Sequence, residues 1–334
     1  VSLATASQVM RGTGRISEET RKKVLKAARE LNYVPDGRAA SMRSGERREI
    51  GLLIHQIANP FNAEVIGGVS ELLEGEGYLV SILDSQDDPA REHRCIEAFI
   101  RNTRGGLLWV PAAGTPRRTV ELLTTHRMPT VTFLRDAPHG SFDHVGIENA
   151  AATSLATHYL ADLGHRHIAY FGGDDEGQVR RERIAGYRAA LAERRLAPPV
   201  VWPCHDRKIA ALDAAMALRE QHPEVTAMVC NGDQVAIGAC MALARMGLCA
   251  GQDVSVIGFD DIADAAIATP PLTTMSVSPA RLGRKLARVL LDRIRDPDMP
   301  IASVNVRPQL VVRASTGPAP TLRQAPAATD RAKT

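Results

Sequence analysis

The sequence predicts an α/β protein: a two-lobed body of parallel sheets covered by helices, preceded by a small all-α head. Three observations carry this. From residue 50 onward short apolar runs alternate with helical stretches, as in parallel sheets buried on both faces. That alternation runs for roughly 260 residues, more than one compact core holds. The first 49 residues show helical patterns only, and they carry 11 Lys/Arg against 6 Asp/Glu, whereas the remainder carries 30 against 32. A head of net +5 on a body of net −2 points to nucleic acid at one end.

The first helix starts at Leu3, with Ser2 as N-cap. At about 100° per residue, Ala6, Val9 and Met10 share its inner face. Its outer face holds Ala4 and Gln8, flanked by Leu3, Thr5 and Ser7, and lacks the long charged side chains of a solvated helix. Such a face suits close approach to base edges in a major groove. Gly12 and Gly14 end the helix. Ser17 caps the second helix, whose positive end carries Glu18 and Glu19. Val24, Ala28 and Leu31 recur at helical spacing among basic residues, and Pro35 stops it. A third short helical segment is expected in "PDGRAASMRSG", weakened by Gly37.

"VSLATASQVMRGTGRISEETRKKVLKAARELNYVPDGRAASMRSG" resembles the head of the lactose-repressor (LacI/GalR) type of transcriptional regulator. The likeness holds in order and spacing and continues to about residue 315. It implies that Leu3, Ala4 and Gln8 read bases and that Thr5 and Ser7 touch phosphates. Met42 stands where the family places the leucine that wedges into the minor groove, with Arg43 on adjacent phosphate. This chain departs from the usual pattern with Ala6 for Val, Met10 for Leu, Asp36 for Asn and Ala40 for Arg. The resemblance also implies a helix before the turn, which these residues do not include. The head is therefore expected to be truncated within its helix-turn-helix, loosely ordered, and a weak operator binder.

In the body, "IGLLIHQI" reads as the first strand, 62–76 as a helix and 79–84 as the second strand. Further strands are expected near 105–111, 130–135, 144–147, 167–173, 200–204, 226–231 and 254–259, with helices between most of them. The resemblance implies a periplasmic-binding-protein type I body, whose two lobes are joined by three crossovers. These fall near 149–151, 275–279 and 304–307, and the amphipathic stretch 279–295 returns to the first lobe. The expected division is 1–49 for head and hinge and 50–315 for the effector-binding and dimerisation body. Lobe 1 takes about 50–149 and 279–305, and lobe 2 about 150–277 and 306–315. The Pro- and Ala-rich stretch 316–334 reads as a disordered tail.

Ligands of open α/β sheets bind at the carboxyl ends of the strands. That rule selects His55 and Gln56 after the first strand, Arg135 after the fourth, Asn231 and Asp233 after "AMVC", and Asp260 after "VIGF". The resemblance adds Phe61 and Asn62 in "ANPFN" and Arg183 in "RERIAGY", and it makes Arg183 and Asp260 frequent effector contacts. Glu148 replaces the usual Asp in "IEN" and is not counted as a contact. Taken singly, Phe61 would pass for core, Arg183 for a surface ion pair and Asp260 for a turn cap. Converging on one cleft, these groups suit a sugar or similar polyhydroxylated molecule: charged forks for hydroxyls and an aromatic face for the ring.

Rival functions lack their marks. No G-x-G-x-x-G follows the first strand, and no Walker sequence, H-E-x-x-H or G-x-S-x-G occurs. "HRH" at 165–167 reads as a polar turn rather than a metal site. No enzyme activity, cofactor or metal is expected. No apolar run approaches the ~18 residues of a membrane span, and no secretory signal is visible. Cys95, Cys204, Cys230, Cys240 and Cys249 form no C-x-x-C pair and read as free thiols of a reducing compartment. The reading is a ligand-controlled DNA-binding regulator, a repressor acting on double-stranded operator DNA as a homodimer in the bacterial cytoplasm, at the nucleoid. The alternative is a solute-binding protein of the same body fold, which would need a signal peptide and no DNA-reading head.

Overall fold

The structure, a computed structural model, describes residues 1–10, 12–33, 48–102, 105–173 and 177–320, without the side chain of His139. Residues 1–47 and 48–334 form two compact units.

In the first unit, α1 (Leu3–Met10) and α2 (Glu18–Glu30) pack on each other through Val9 and Val24. The Ser2 hydroxyl accepts from the Thr5 amide at 3.1 Å, and the Ser17 hydroxyl from the Thr20 amide at 3.4 Å. One of the free N–H groups at each helix start is thus covered as the caps require. Leu31, read as part of the apolar face of α2, lies just past that helix and is exposed. The expected third helical segment, with Met42 and Arg43, lies outside the described residues.

The second unit contains two six-stranded sheets. The first is built from β1 (Glu49–Ile54), β2 (Leu79–Asp84), β3 (Gly106–Trp109), β4 (Thr130–Phe133), β5 (Asp143–Ile147) and a late strand, β11 (Ser303–Val306). Its spatial order is β11-β5-β4-β3-β1-β2, and every pair is parallel. The second is built from β6 (Ile168–Phe171), β7 (Val200–Trp202), β8 (Ala227–Cys230), β9 (Ser255–Asp260), β10 (Thr273–Ser276) and β12 (Gln309–Val311). Its order is β12-β10-β9-β8-β6-β7, antiparallel only between β10 and β12. The strand runs Ile50–Ile54 and Ala227–Cys230 are buried throughout, as sheets covered on both faces demand.

Helices α3 (Pro60–Gly75), α4 (Pro89–Asn102), α5 (Arg117–Thr125) and α11 (Pro279–Arg295) accompany the first sheet. With the second go α6 (Asn149–Asp162), α7 (Gln178–Glu193), α8 (Lys208–Gln221), α9 (Asp233–Arg245) and the short α10 (Ala263–Ile267). Helices α3 and α11 meet backbone to backbone. A Cβ on Gly68 would sit 2.0 Å from the Ala280 carbonyl oxygen, and one on Gly283 would sit 2.2 Å from that of Val65. Only glycine permits that approach.

The chain passes between the sheets at 148, between β5 and α6; at 277–278, between β10 and α11; and at 307–308, between β11 and β12. Three strands went unread in the sequence: "TTMS", "SVNV" and "QLV" are short, and each contains polar residues. The boundary expected at 316 also differs. The Gly317 amide donates to Ser255 Oγ at 3.0 Å and the Ala319 amide to the Leu163 carbonyl at 2.9 Å, so 316–320 is seated on the second sheet's lobe. Residues 321–334, the rest of the expected tail, lie outside the described residues. No helix among the described residues is long and apolar enough to cross a membrane.

Candidate ligand cleft and DNA-reading helix

In each sheet the strand order reverses beside the first strand, at β1/β3 and at β6/β8, which is where α/β folds place ligands. A cleft of about 790 Å³ of atom-free space, partly open to solvent, lies at those carboxyl ends. The first lobe supplies His55, Asn59, Phe61, Leu134, Arg135 and Ile147. The second supplies Val179, Arg180, Arg183, Asp206, Asn231, Gly232, Gln234, Val235 and Asp260, and Asn149 stands at the first crossing. Arg183 is the centre of the polar network and is itself 6% exposed. Its Nε donates to Asn149 Oδ1 at 2.9 Å, its Nη1 donates to the Asn231 carbonyl, and its guanidinium lies 3.5 Å over the centre of the Phe259 ring. Stacking and hydrogen bonds together hold the fork in one orientation.

Asn231 extends the network. Its Oδ1 accepts from the Tyr170 hydroxyl at 2.6 Å, and its Nδ2 donates to Asp206 at 2.7 Å. Asp260 ends β9 with φ 111°, a left-handed conformation that costs a non-glycine residue of order 1–3 kcal/mol and clusters at ligand sites. Burial pushes its carboxyl well above the usual carboxylate range; Arg183 opposes the rise, and Asp233, Asp206 and Glu64 add to it. The neighbouring Asp261 is bound to Arg313 at 2.7 Å and fixes the strand end. On the other lobe Arg135 pairs with Asp87 and donates to the Pro111 carbonyl at 3.3 Å. Burial raises the Asp87 carboxyl, but the Arg135 pair and the Ala113 amide outweigh it and leave the group below its usual value. The Arg135 charge is therefore met from its own lobe.

Six of the nine sequence-derived cleft residues line this space: His55, Phe61, Arg135, Arg183, Asn231 and Asp260; Gln56, Asn62 and Asp233 do not. Asn62 is fully buried, and its Nδ2 donates to the Gln56 carbonyl at 2.7 Å, bracing the loop after β1 from behind. Asp233 is likewise turned inward, toward Thr274 and the Ile262 amide. On the head, Leu3, Ala4 and Gln8 are exposed on one side of α1, while Thr5 and Ser7 are half-buried. The Gln8 side chain lies along Gly14, whose φ of 85° favours glycine; a Cβ there would also press on Gln8 Oε1 at 3.0 Å.

Residues 1–36 match the bacterial regulatory proteins of the lacI family, and 157–316 match a periplasmic binding protein-like domain. The ribose operon repressor of Haemophilus influenzae is 32% identical over 317 residues, 94% of this chain and 95% of that protein. The HTH-type transcriptional repressor PurR of Vibrio campbellii is 34% identical over 319 residues, 94% of each chain. The chain belongs to the LacI family. As a LacI-family protein it is a DNA-binding transcriptional repressor, and that family is not one of enzymes. Among solved structures, the regulator CelR in complex with cellobiose shares 26% identity and a TM-score of 0.72, covering 94% of this chain and 96% of that one. The lac repressor dimer bound to operator and an anti-inducer aligns with a TM-score of 0.81 at 23% identity, over 95% and 96% of the two chains, a likeness of fold.

Sequence reasoning about this LacI-family cleft missed Arg180, Asp206 and Asn149. Asp206 follows the strand read near 200–204, so the strand-end rule that found Asn231 reaches it as well and was not applied there. Arg180 lies one turn before Arg183 on α7, and helical spacing alone puts them on one face. Asn149 has no such signal, because only the fold brings it to Arg183.

Proposed function

We propose that this repressor is controlled by a neutral, polyhydroxylated small molecule of the sugar type, held between the lobes by Arg183, Asn231, Asp260, Phe61, His55 and Arg135. The observation that carries this reading is the fixed Arg183 fork, buried between Asn149, Asn231 and the Phe259 ring. Around it stand carboxylates and amides rather than further free cations, a donor and acceptor set that favours hydroxyls over an anionic group. The cellobiose complex of CelR is consistent with this chemistry. The effector alters lobe closure, and a coupling of about 1–3 kcal/mol changes operator affinity roughly 5–150-fold. Leu3, Ala4 and Gln8 read bases and Thr5 and Ser7 meet phosphates, with Met42 and Arg43 as the hinge contacts. The protein acts on operator DNA as a homodimer in the bacterial cytoplasm.

Calorimetry of the full chain against monosaccharides and disaccharides tests the cleft. Arg183→Ala removes a charged hydrogen bond worth roughly 1.5–3 kcal/mol, and Asp260→Ala leaves a buried partner unsatisfied at a cost of about 1–3 kcal/mol, so effector affinity should fall about tenfold or more in both while thermal unfolding stays cooperative. Unchanged affinity in both variants would place the ligand elsewhere.

A further inference from the structure

We propose that the groove over the second and third lobe crossings is a separate binding site for a small, polyvalent, phosphate-bearing anion. Helix α11 presents Arg281, Arg284, Lys285 and Arg288 along one side at helical spacing, and Arg307 joins them from the crossing between β11 and β12. Ser276 of β10 and Gln309 of β12 line it from the second sheet. The groove holds about 1300 Å³ of solvent-open space, and no carboxylate lines it.

On other helices several cations are neutralised within one turn. Lys23 pairs with Glu19 and Lys26 with Glu30 on α2, Arg101 with Glu97 on α4, and Arg117 with Glu121 on α5, all one turn apart. Over 281–288 helix α11 carries no acid at all. Among the described residues, Glu71 on α3 reaches Arg284 at 2.8 Å, and no carboxylate pairs with Arg281, Lys285, Arg288 or Arg307. Four like charges left together on a body of net −2 repel one another, and that repulsion is relieved by a bound counter-charge. Three of the four are arginines, whose planar forks fit phosphate oxygens two at a time. A single carboxylate would leave most of the cations unmet, whereas a diphosphate or a bisphosphate spans them.

The groove differs in kind from the interlobe cleft, where arginines are balanced by Asp87, Asp206 and Asp260, and the inference does not rest on the reading of that cleft. Its walls belong to both lobes: α11 packs on α3, β3 and β4 of the first, while β10 and β12 lie in the second sheet. An anion seated there senses the angle between the lobes, so its affinity is coupled reciprocally to whatever else sets that angle.

The test is calorimetry of the full chain at constant ionic strength with inorganic pyrophosphate, a nucleoside diphosphate and a sugar bisphosphate, which separate inorganic from organic sources of the same chemistry. The expected result is saturable binding of at least one probe, one per chain, weakened tenfold or more in Arg281→Gln/Arg288→Gln and in Arg307→Gln, and unchanged in Arg117→Gln. Unaltered melting temperatures of the glutamine variants show that loss of binding is not loss of fold. Absence of saturable heat with all three probes, or equal affinity in wild type and both groove variants, overturns the proposal. So does a fall in binding to random duplex DNA in the groove variants without any anion binding, which would make the groove a nucleic-acid contact.

Discussion

Asp233 opens α9 fully buried, its Oδ1 accepting from the Thr274 hydroxyl at 2.6 Å and its Oδ2 from the Ile262 amide at 2.9 Å. Burial pushes its carboxyl from 3.8 up to about 7, against those two bonds. Between about pH 4 and pH 7 the folded chain therefore keeps a proton that the unfolded chain has lost. Stability from this group is greatest at the acid end and declines as pH rises, by at most about 1.4 kcal/mol per pH unit. Asp233→Asn lacks that titration, so its urea midpoint relative to wild type should improve steadily from pH 4 to pH 7. A constant offset over that interval would show that the carboxyl titrates normally. The residue also marks a limit of sequence reading. Position after β8 put Asn231 and Asp233 together at the cleft, yet only Asn231 faces it. The two-residue step carries Asp233 onto the first turn of α9, against Gly258 of β9, where a Cβ would be 2.1 Å from its Oδ1. Strand-end position is legible in a sequence; the side of the strand end that a side chain takes is not.

At the scale of elements, the helices were the legible part. Caps at Ser2 and Ser17 and the apolar spacing of 279–295 mark α1, α2 and α11 closely. Strands β10, β11 and β12 were not legible, because each is short and draws its place from a neighbour in another part of the chain: Thr274 from Gly258, Val304 from Val145, Leu310 from Met275. Helix α1 carries the functional expectation that belongs to this scale. Gln8 is exposed beside Leu3 and Ala4, and glutamine matches the adenine edge where arginine matches guanine. Gln8→Arg should change the preferred base at one symmetric pair of operator positions and leave the others alone. Selection from a randomised duplex library, run on both proteins, measures this; identical base preferences would remove Gln8 from the reading face.

For the whole molecule, the remaining question is how copies of the body meet. Lys208 at the start of α8 binds Asp264 of α10 at 2.6 Å, and Gly238 of α9 packs against the Lys208 carbonyl. Around that junction Ile209 and Ile267 are each 80% exposed and Met241 is 46% exposed. Exposed large apolar groups gathered at one place mark an association surface, and a C2 pair would bury them against their own copies. Ile209→Asp with Ile267→Asp should convert a dimer to a monomer in sedimentation velocity and weaken operator binding, with effector binding retained. A sedimentation coefficient unchanged from wild type would locate the interface elsewhere. The three passages between the sheets have a consequence for how such a protein changes its ligand. His55 and Asp260 line the same cleft from positions far apart in the chain, and the passage at 148 divides the residues between them, with Phe61 and Arg135 on the first lobe and Arg183 and Asn231 on the second. One genetic exchange between two related genes, wherever it falls between those positions, yields a cleft assembled from two parents. Replacing a lobe intact takes three joints, at 148, 277–278 and 307–308. Ligand preference in such a gene is thus inherited as a linked block, and it drifts by point substitution more readily than by shuffling.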